Sequence, residues 1–401
     1  MSAPSIAIIG AGMSGLLTAG ACDQAFGGEC QIMLFDQADL QLDRPMSQPS
    51  FDDRSTALSY PTLEYFGALG LTEIVQSVCP IDTIHVSNKG RLGSAVLTAA
   101  AMDWSMLGGV VENRVLGSAL AAWVNRSGVV IKAPTTIDAL AMQDSGVMVT
   151  LASGEQIRLD CVVIADGESS GLAAKLGISR RVKEYAAHAL VANIATAKQH
   201  NGQAFERFTP EGPMALLPLS DLNNQHRSAL VWTDSSARIS ALLQSSKPDF
   251  CAALQAHFGY RLGRITDVGQ RSIYPLALRH SIEQIRSRMV LIGNAAHTLH
   301  PVAGQGFNLS VRDTRRLVEV LSGCIRAHDF SAKQLGIYSH QRAIDQARTV
   351  GASDMLPSLF QQTGVTALAR DALLGALDVI PAAKRRFTQI AAGALAETDY
   401  V

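Results

Sequence analysis

The stretch that most constrains the fold is the amino-terminal "SIAIIGAGMSGLLTAGACDQAFGGECQIMLFDQ". Ser5 to Ile9 is a short β-branched run that breaks at Gly10; glycines recur at 12 and 15, and an Ala/Leu-rich helical stretch follows. The order is strand, tight turn and helix. Gly10 permits the turn, Gly12 lets the backbone approach a pyrophosphate, and Gly15 lets the helix pack closely on the sheet. The start of that helix offers free N–H groups and a positive dipole end to phosphates. A second apolar run, "QIMLFD", ends in Asp36, at the separation where a ribose-binding acid belongs. A glycine turn alone would say little. Strand, helix and acid together predict an α/β, Rossmann-like dinucleotide-binding domain.

Composition excludes other classes. At 401 residues and 47% hydrophobic content the chain can bury one large core or two linked ones. Lys plus Arg total 34 against 35 for Asp plus Glu, a net charge of -1, so no electrostatic footprint for nucleic acid exists. Cys22, Cys30, Cys79, Cys161, Cys251 and Cys324 are scattered without a CxxC pair, which suits reduced thiols in the cytoplasm and argues against structural zinc. No uncharged apolar run approaches the ~20 residues of a membrane span. The expectation is a cytoplasmic protein, at most peripheral to the inner membrane.

Along the chain, a polar, proline-bearing loop beginning "PMSQPSFDDRSTALS" passes into an amphipathic helix, with Arg54 at the loop's end. A guanidinium there is either a solvated charge or a planar fork for dinucleotide phosphates. Residues 81–98 read as a hairpin, Val110 to Val124 as a helix, and 129–132 and 146–151 as short strands. Cys161 to Ala165 is a buried strand stopping at Asp166 and Gly167, the kind of strand end where α/β folds bind ligands. Residues 181–280 are mostly strand-like and read as an inserted, mostly antiparallel substrate sheet. The expected division is a discontinuous nucleotide domain (1–75, 99–180, 281–345), a substrate domain (76–98, 181–280) and C-terminal helices (346–401). Those helices either pack on the nucleotide domain or turn an apolar face beside Lys384, Arg385 and Arg386 to a membrane surface or partner.

The late segment "GNAAHTLHPVAGQGFNLS" follows another buried strand and holds three glycines, two histidines and almost no charge. The backbone amides of Gly304, Gln305 and Gly306 open a helix and so can stabilise developing negative charge. Pro301 reads as a rigid shaping residue or an ordinary loop proline. His297 and His300 stand i, i+3 without a third ligand at metal-binding spacing, and no metal is expected.

"GAGMSG", "ADGESS" and "GNAAHTLHPVAGQGFNL", in this order and spacing, resemble the class A flavoprotein aromatic hydroxylases, which share the para-hydroxybenzoate hydroxylase fold. "FDDRSTALS", "HVSNKG", "AFERFT" and "SIYPLAL" resemble the ubiquinone-biosynthesis branch, closest to its 2-octaprenyl-6-methoxyphenol hydroxylases. The resemblance implies FAD held by Gly10, Gly12, Gly15, Asp36, Arg54, Asp166, Gly167, Gly293, Asn294, Gly304, Gly306, Phe307 and Asn308. It implies chemistry at Pro301, Gly304, Gln305 and Gly306. NADPH or NADH would bind transiently, FAD would activate O2 at C4a, and a prenylated phenol would be hydroxylated, alone or within a biosynthetic complex. Two departures stand out: Asn294 replaces the family's usual aspartate, and Ala173 stands where an arginine often follows the Asp-Gly pair. The alternatives are a sister hydroxylase for another ring carbon or a soluble aromatic, and a non-catalytic FAD-holding subunit.

Overall fold

The protein is described from a computed structural model covering residues 3–40, 54–90, 94–168, 171–299, 304–361 and 380–394. Its first sheet has six strands in the order Ile285–Arg286, Met289–Leu291, Cys161–Ile164, Ser5–Ile9, Gln31–Phe35 and Val130–Lys132. All pairings are parallel except the one between Ile285–Arg286 and Met289–Leu291. Parallel strands covered on both faces are continuous apolar runs. The sequences IAII, IMLF and CVVI are buried throughout. Helices Met13–Phe26, Asn113–Asn125 and Gln305–Ala327 contribute to one covering layer. A three-stranded meander, Ile137–Gln143, Gly146–Leu151 and Gln156–Leu159, packs on the other.

The second sheet has nine strands, and its order mixes distant parts of the chain. Ser94–Thr98 pairs with Thr83–Asn88, which joins Gln203–Phe208 in parallel; the remaining pairs are antiparallel, through Pro213–Leu222, Gln225–Ser235, the 17-residue Arg180–Thr196 and Ser272–Ser281. Side chains alternate between two faces with the period of two that a strand imposes. Leu190, Ile194, Phe205, Leu216 and Trp232 point to a core closed by the helices Ser236–Gln244 and Lys247–Phe258. Val191, Ala204, Ala215 and Val231 point the other way, to a cavity. A mostly antiparallel sheet beside a Rossmann-like one is the architecture expected from sequence, with a helical carboxyl-terminal region.

Local expectations need correction. Val110 to Val124 is not one helix: Gly108–Glu112 is a strand, and the helix begins at Asn113. GGVVE pairs with Ser55–Ser59 on one side and Cys79–Ile81 on the other, so tertiary pairing overrides the helical continuation. Ser55–Ser59, where the loop ending at Arg54 is expected to pass straight into a helix, is itself a strand.

Candidate active site

A cavity of about 1210 Å³ extends from the first glycine turn to the inner face of the nine-stranded sheet. At its nucleotide end Gly10 has φ 101°, and a Cβ there would lie 2.6 Å from Asp166 Cα, so only glycine joins these two strand ends. A Cβ on Gly15 would lie 1.8 Å from the Gly10 carbonyl oxygen. Gly15 therefore shapes the turn from behind and does not line the cavity. Gly12 is the reverse: it lines the cavity, and a Cβ there would have no protein atom within 4 Å. That is a backbone cradle left open toward a ligand.

Asp36 stands beside it at the end of Gln31–Phe35. Its Oδ2 accepts from the Ala11 amide at 2.5 Å and its Oδ1 from the Ala38 amide at 2.7 Å. An ionised carboxylate has about four acceptor positions, so Asp36 fixes the turn and retains capacity for sugar hydroxyls. Two hydroxyls on the cavity wall, Ser55 Oγ and Thr298 Oγ1, are buried without any hydrogen-bond partner among the described residues. Buried polar atoms without partners are costly, and a polar ligand in this cavity would satisfy them. These features fit a dinucleotide such as FAD.

Asp166, Gly167 and Asn294 line the same cavity, as do Gly304, Gln305, Gly306 and Phe307. Gly304 has φ 61° and precedes helix Gln305–Ala327, whose first amides have no helical acceptor. Gly293 lies outside the cavity: its Cβ position is 2.8 Å from Ser14 Oγ, so it packs the late segment onto the first helix. Asn308 lines the cavity but has no side-chain capacity left for cofactor. Its Oδ1 accepts from Ser59 N (2.9 Å) and Thr62 Oγ1 (2.8 Å), and its Nδ2 donates to Ala57 O and Gly304 O (both 2.8 Å). It ties the flanking strand to the glycine segment. The Gln305 side chain donates to Ala391 O at 2.5 Å, so only its backbone amide faces the charge-stabilising role expected of it. Arg54 stacks its guanidinium on Tyr274, 4.7 Å from the ring centroid, which places it between the two sheets. Pro301 and His300 lie outside the described residues.

Several contributors escape the sequence reading. Helix Pro381–Ala392 supplies Phe387, Thr388, Ala391 and Ala392 to the cavity wall. Glu206, on Gln203–Phe208, is a carboxyl set among apolar residues of the sheet face, and burial pushes it up to about 8. Behind the late segment runs a buried charge network. His297 Nε2 lies 2.7 Å from Asp313 Oδ2, Arg342 donates to Asp313 Oδ1 at 2.6 Å, and Asp345 accepts from both Arg342 and Arg312. Burial alone would raise the Asp313 carboxyl, but the Arg342 guanidinium and His297 hold it well below the usual carboxylate range. His297 is thus a structural partner of a carboxylate. The sequence cue was present as DTRR and RAIDQ on two helices, but such charges usually sit on solvated faces.

The FAD binding domain family matches residues 4–352. The chain is 33% identical to a ubiquinone hydroxylase, UbiL, of Rhodospirillum rubrum over 86% of this chain and 80% of that protein. The chain belongs to the FAD-dependent monooxygenase family. The 3-demethoxyubiquinol 3-hydroxylase of Escherichia coli is also 33% identical, over 79% of each chain. Among solved structures, the p-nitrophenol 4-monooxygenase PnpA of Pseudomonas putida superimposes with a TM-score of 0.77 over 96% of this chain and 97% of that one, at 17% identity, a likeness of fold. The enzyme's cofactor is FAD, and the open cradle at Gly12 and the Asp36 carboxylate are where this monooxygenase can hold its nucleotide half.

Proposed function

We propose that this monooxygenase hydroxylates the aromatic ring of a polyprenylated phenol in ubiquinone biosynthesis, with 2-polyprenyl-6-methoxyphenol as substrate and NADPH or NADH as reductant. The observation that carries this reading is the continuity of one cavity from a dinucleotide cradle to an apolar sheet face. A polar cofactor and an apolar aromatic can meet there, away from bulk water. Ubiquinone hydroxylases among the relatives at 33% identity support the substrate class.

When bound, FAD supplies the electrons drawn from the nicotinamide and activates O2. The chain's own residues do the rest. Gly10, Gly12 and Asp36 would hold the adenosine side, with Asp166, Gly167, Asn294, Ser55 and Thr298 offering polar contacts along the wall. The amides of Gly304, Gln305 and Gly306, at a helix start, stabilise negative charge delivered near them. Phe387, Leu97 and Leu217 keep water from the reacting ring. Among the described residues no helix is long and apolar enough to cross a membrane. A prenylated substrate calls for peripheral contact with a membrane or a biosynthetic complex, and helix Pro381–Ala392 has exposed Ile380 at its start and carries exposed Arg385, Arg386 and Ile390.

A second reading, hydroxylation of another ring carbon, is favoured by the 3-hydroxylase activity named for the Escherichia coli relative. Deleting the gene in its host and identifying the accumulated prenylated intermediate by mass spectrometry tests both. Prenylated 6-methoxyphenol, cleared when the gene returns, supports the first reading. A later ubiquinone intermediate supports the second, and unchanged ubiquinone excludes both.

A further inference from the structure

We propose that Glu206 is the group that takes the phenolic proton of the ring being hydroxylated. The inference rests on the reading that the substrate is a phenol. Gln203–Phe208 pairs with Thr83–Asn88 on one side and Pro213–Leu222 on the other, placing Glu206 opposite Val86 and Ala215. Strand alternation turns Phe205 into the core behind the sheet and Glu206 into the cavity, among Ile84, Leu97, Leu217 and Val231. Among the described residues it makes no hydrogen bond and no ion pair. A lone carboxyl on an apolar wall is costly unless something satisfies it. An aromatic ring bearing one hydroxyl matches that wall: the ring covers the aliphatic surface and the O–H meets the carboxyl.

Asp166 stands at the nucleotide end of the cavity, beside Gly10, and the remaining ionisable groups around the cavity are committed elsewhere. His85, next to Val86, packs against Phe205 with ring centroids 6.1 Å apart, and Arg207, next along the strand, alternates away from Glu206. From Ser272–Ser281, Tyr274 carries the Arg54 guanidinium and Arg279 is ion-paired with Glu168. Lys175 is bound to Asp138 at 2.9 Å, and Asp36 to the glycine turn. Among the described residues no cation stands against Glu206, and loss of water pushes its carboxyl up to about 8. A simple phenol ionises near pH ~10, so an ordinary glutamate at ~4.3 would be too weak a base by about six units. Burial closes most of that gap, and a base whose ionisation lies near the working pH is the efficient one.

In the step itself the phenolic O–H bond breaks, the proton goes to a Glu206 Oε, and the bonding pair stays on the substrate oxygen. Delocalised into the ring, that pair lets the ring carbon bond one atom of O2 as the O–O bond breaks; the other oxygen atom leaves as water, with the two electrons this requires drawn from the nicotinamide. The oxygenated ring is a cyclohexadienone. Its C–H proton is lost to solvent, and Glu206 returns its own proton to the carbonyl oxygen as aromaticity is restored. Glu206 ends as it began.

The test is kcat/KM against pH for the holoenzyme and its Glu206→Gln and Glu206→Asp variants, using simple phenols of graded acidity and confirming FAD content by absorbance. Wild type and Glu206→Asp are expected to show a limb rising through about pH 8 with weakly acidic phenols. Glu206→Gln is expected to lose that limb and about 100-fold or more in rate with those phenols, but far less with nitrophenols already ionised in the assay. An equal loss across all acidities, with the limb retained, overturns the role of Glu206. If no phenol stimulates nicotinamide oxidation by FAD-loaded wild type, the phenolic substrate falls first and this proposal with it.

Discussion

The two sheets border one cavity by opposite means. The parallel sheet presents strand ends, where backbone lines the cavity: Gly12 is open toward it, Gly10 and Gly15 are pressed against neighbouring backbone, and Asp36 has its carboxylate fixed by two amides. The antiparallel sheet presents a face, where side chains decide: small and aliphatic residues of seven strands line a wall that carries Glu206. Backbone binding demands particular residues at fixed spacing. A wall of side chains demands only shape and one well-placed polar group. The cofactor end of such a site is therefore constrained in sequence, while the substrate end is free to vary within the same architecture.

Substitutions can separate the two regimes. Asp313→Ala should have the largest effect on stability, about 3–5 kcal/mol, because it leaves Arg342 and His297 buried without their carboxylate; thermal unfolding checks it. Since the Asp313 carboxyl is held below its unfolded value, its contribution is complete above about pH 4 and fades as pH falls through the depressed folded value. Below that range the wild type and variant melting curves should converge. Gly15→Ala forces a methyl into the Gly10 carbonyl and should cost about 1–3 kcal/mol, with loss of bound FAD visible in the absorbance spectrum. Gly12→Ala sharpens the contrast: its methyl meets no protein atom, so the melting of FAD-free protein should change by under about 0.5 kcal/mol. FAD affinity should nevertheless fall on the order of tenfold. A methyl at Gly12 that leaves FAD binding intact would break the comparison.

On the opposite wall the effect is a slope with pH rather than a fixed loss. The folded Glu206 carboxyl is a weaker acid than the unfolded one, so above about pH 4.3 wild-type stability should decline until about pH 8 and then level. Glu206→Gln removes that term. The two proteins should melt alike at pH 4 and diverge toward pH 8 and above, with the variant the more stable; coincident curves throughout would show that Glu206 is solvated.

The same division explains what could be read from sequence. Gly10, Gly12, Asp36, Asp166, Gly167 and Gly304 are legible because turns and helix starts impose local patterns, and all of them line the cavity. Gly15 and Gly293 are found by the same patterns, yet they act one layer back, where spacing cannot distinguish touching a ligand from supporting the residue that does. Asn308 shows the limit further: its four side-chain bonds reach residues as far away as Ala57, and no local pattern reports them. The strand Gly108–Glu112 reads as part of a helix because its partners, Ser55–Ser59 and Cys79–Ile81, are elsewhere in the chain. Glu206 sits in an alternating strand whose faces are legible but whose opposing surface is not. Phe387 closes the cavity from a helix nearly two hundred residues downstream of Glu206.

The parallel pairing of Gln203–Phe208 with Thr83–Asn88 carries a kinetic consequence. Every other pairing of the inner five strands can form between neighbours in that stretch of chain, but this one joins segments about 120 residues apart, with strands of the nucleotide-binding sheet lying between them. Closing such a long loop spends chain entropy before any contact rewards it, and folding slows accordingly. The wall that carries Glu206 is thus expected to be completed late in folding. In a variant whose Trp104 and Trp123 are replaced by Phe, refolding followed by the emission of Trp232, in the helix-covered core of that sheet, should run ahead of recovery of turnover.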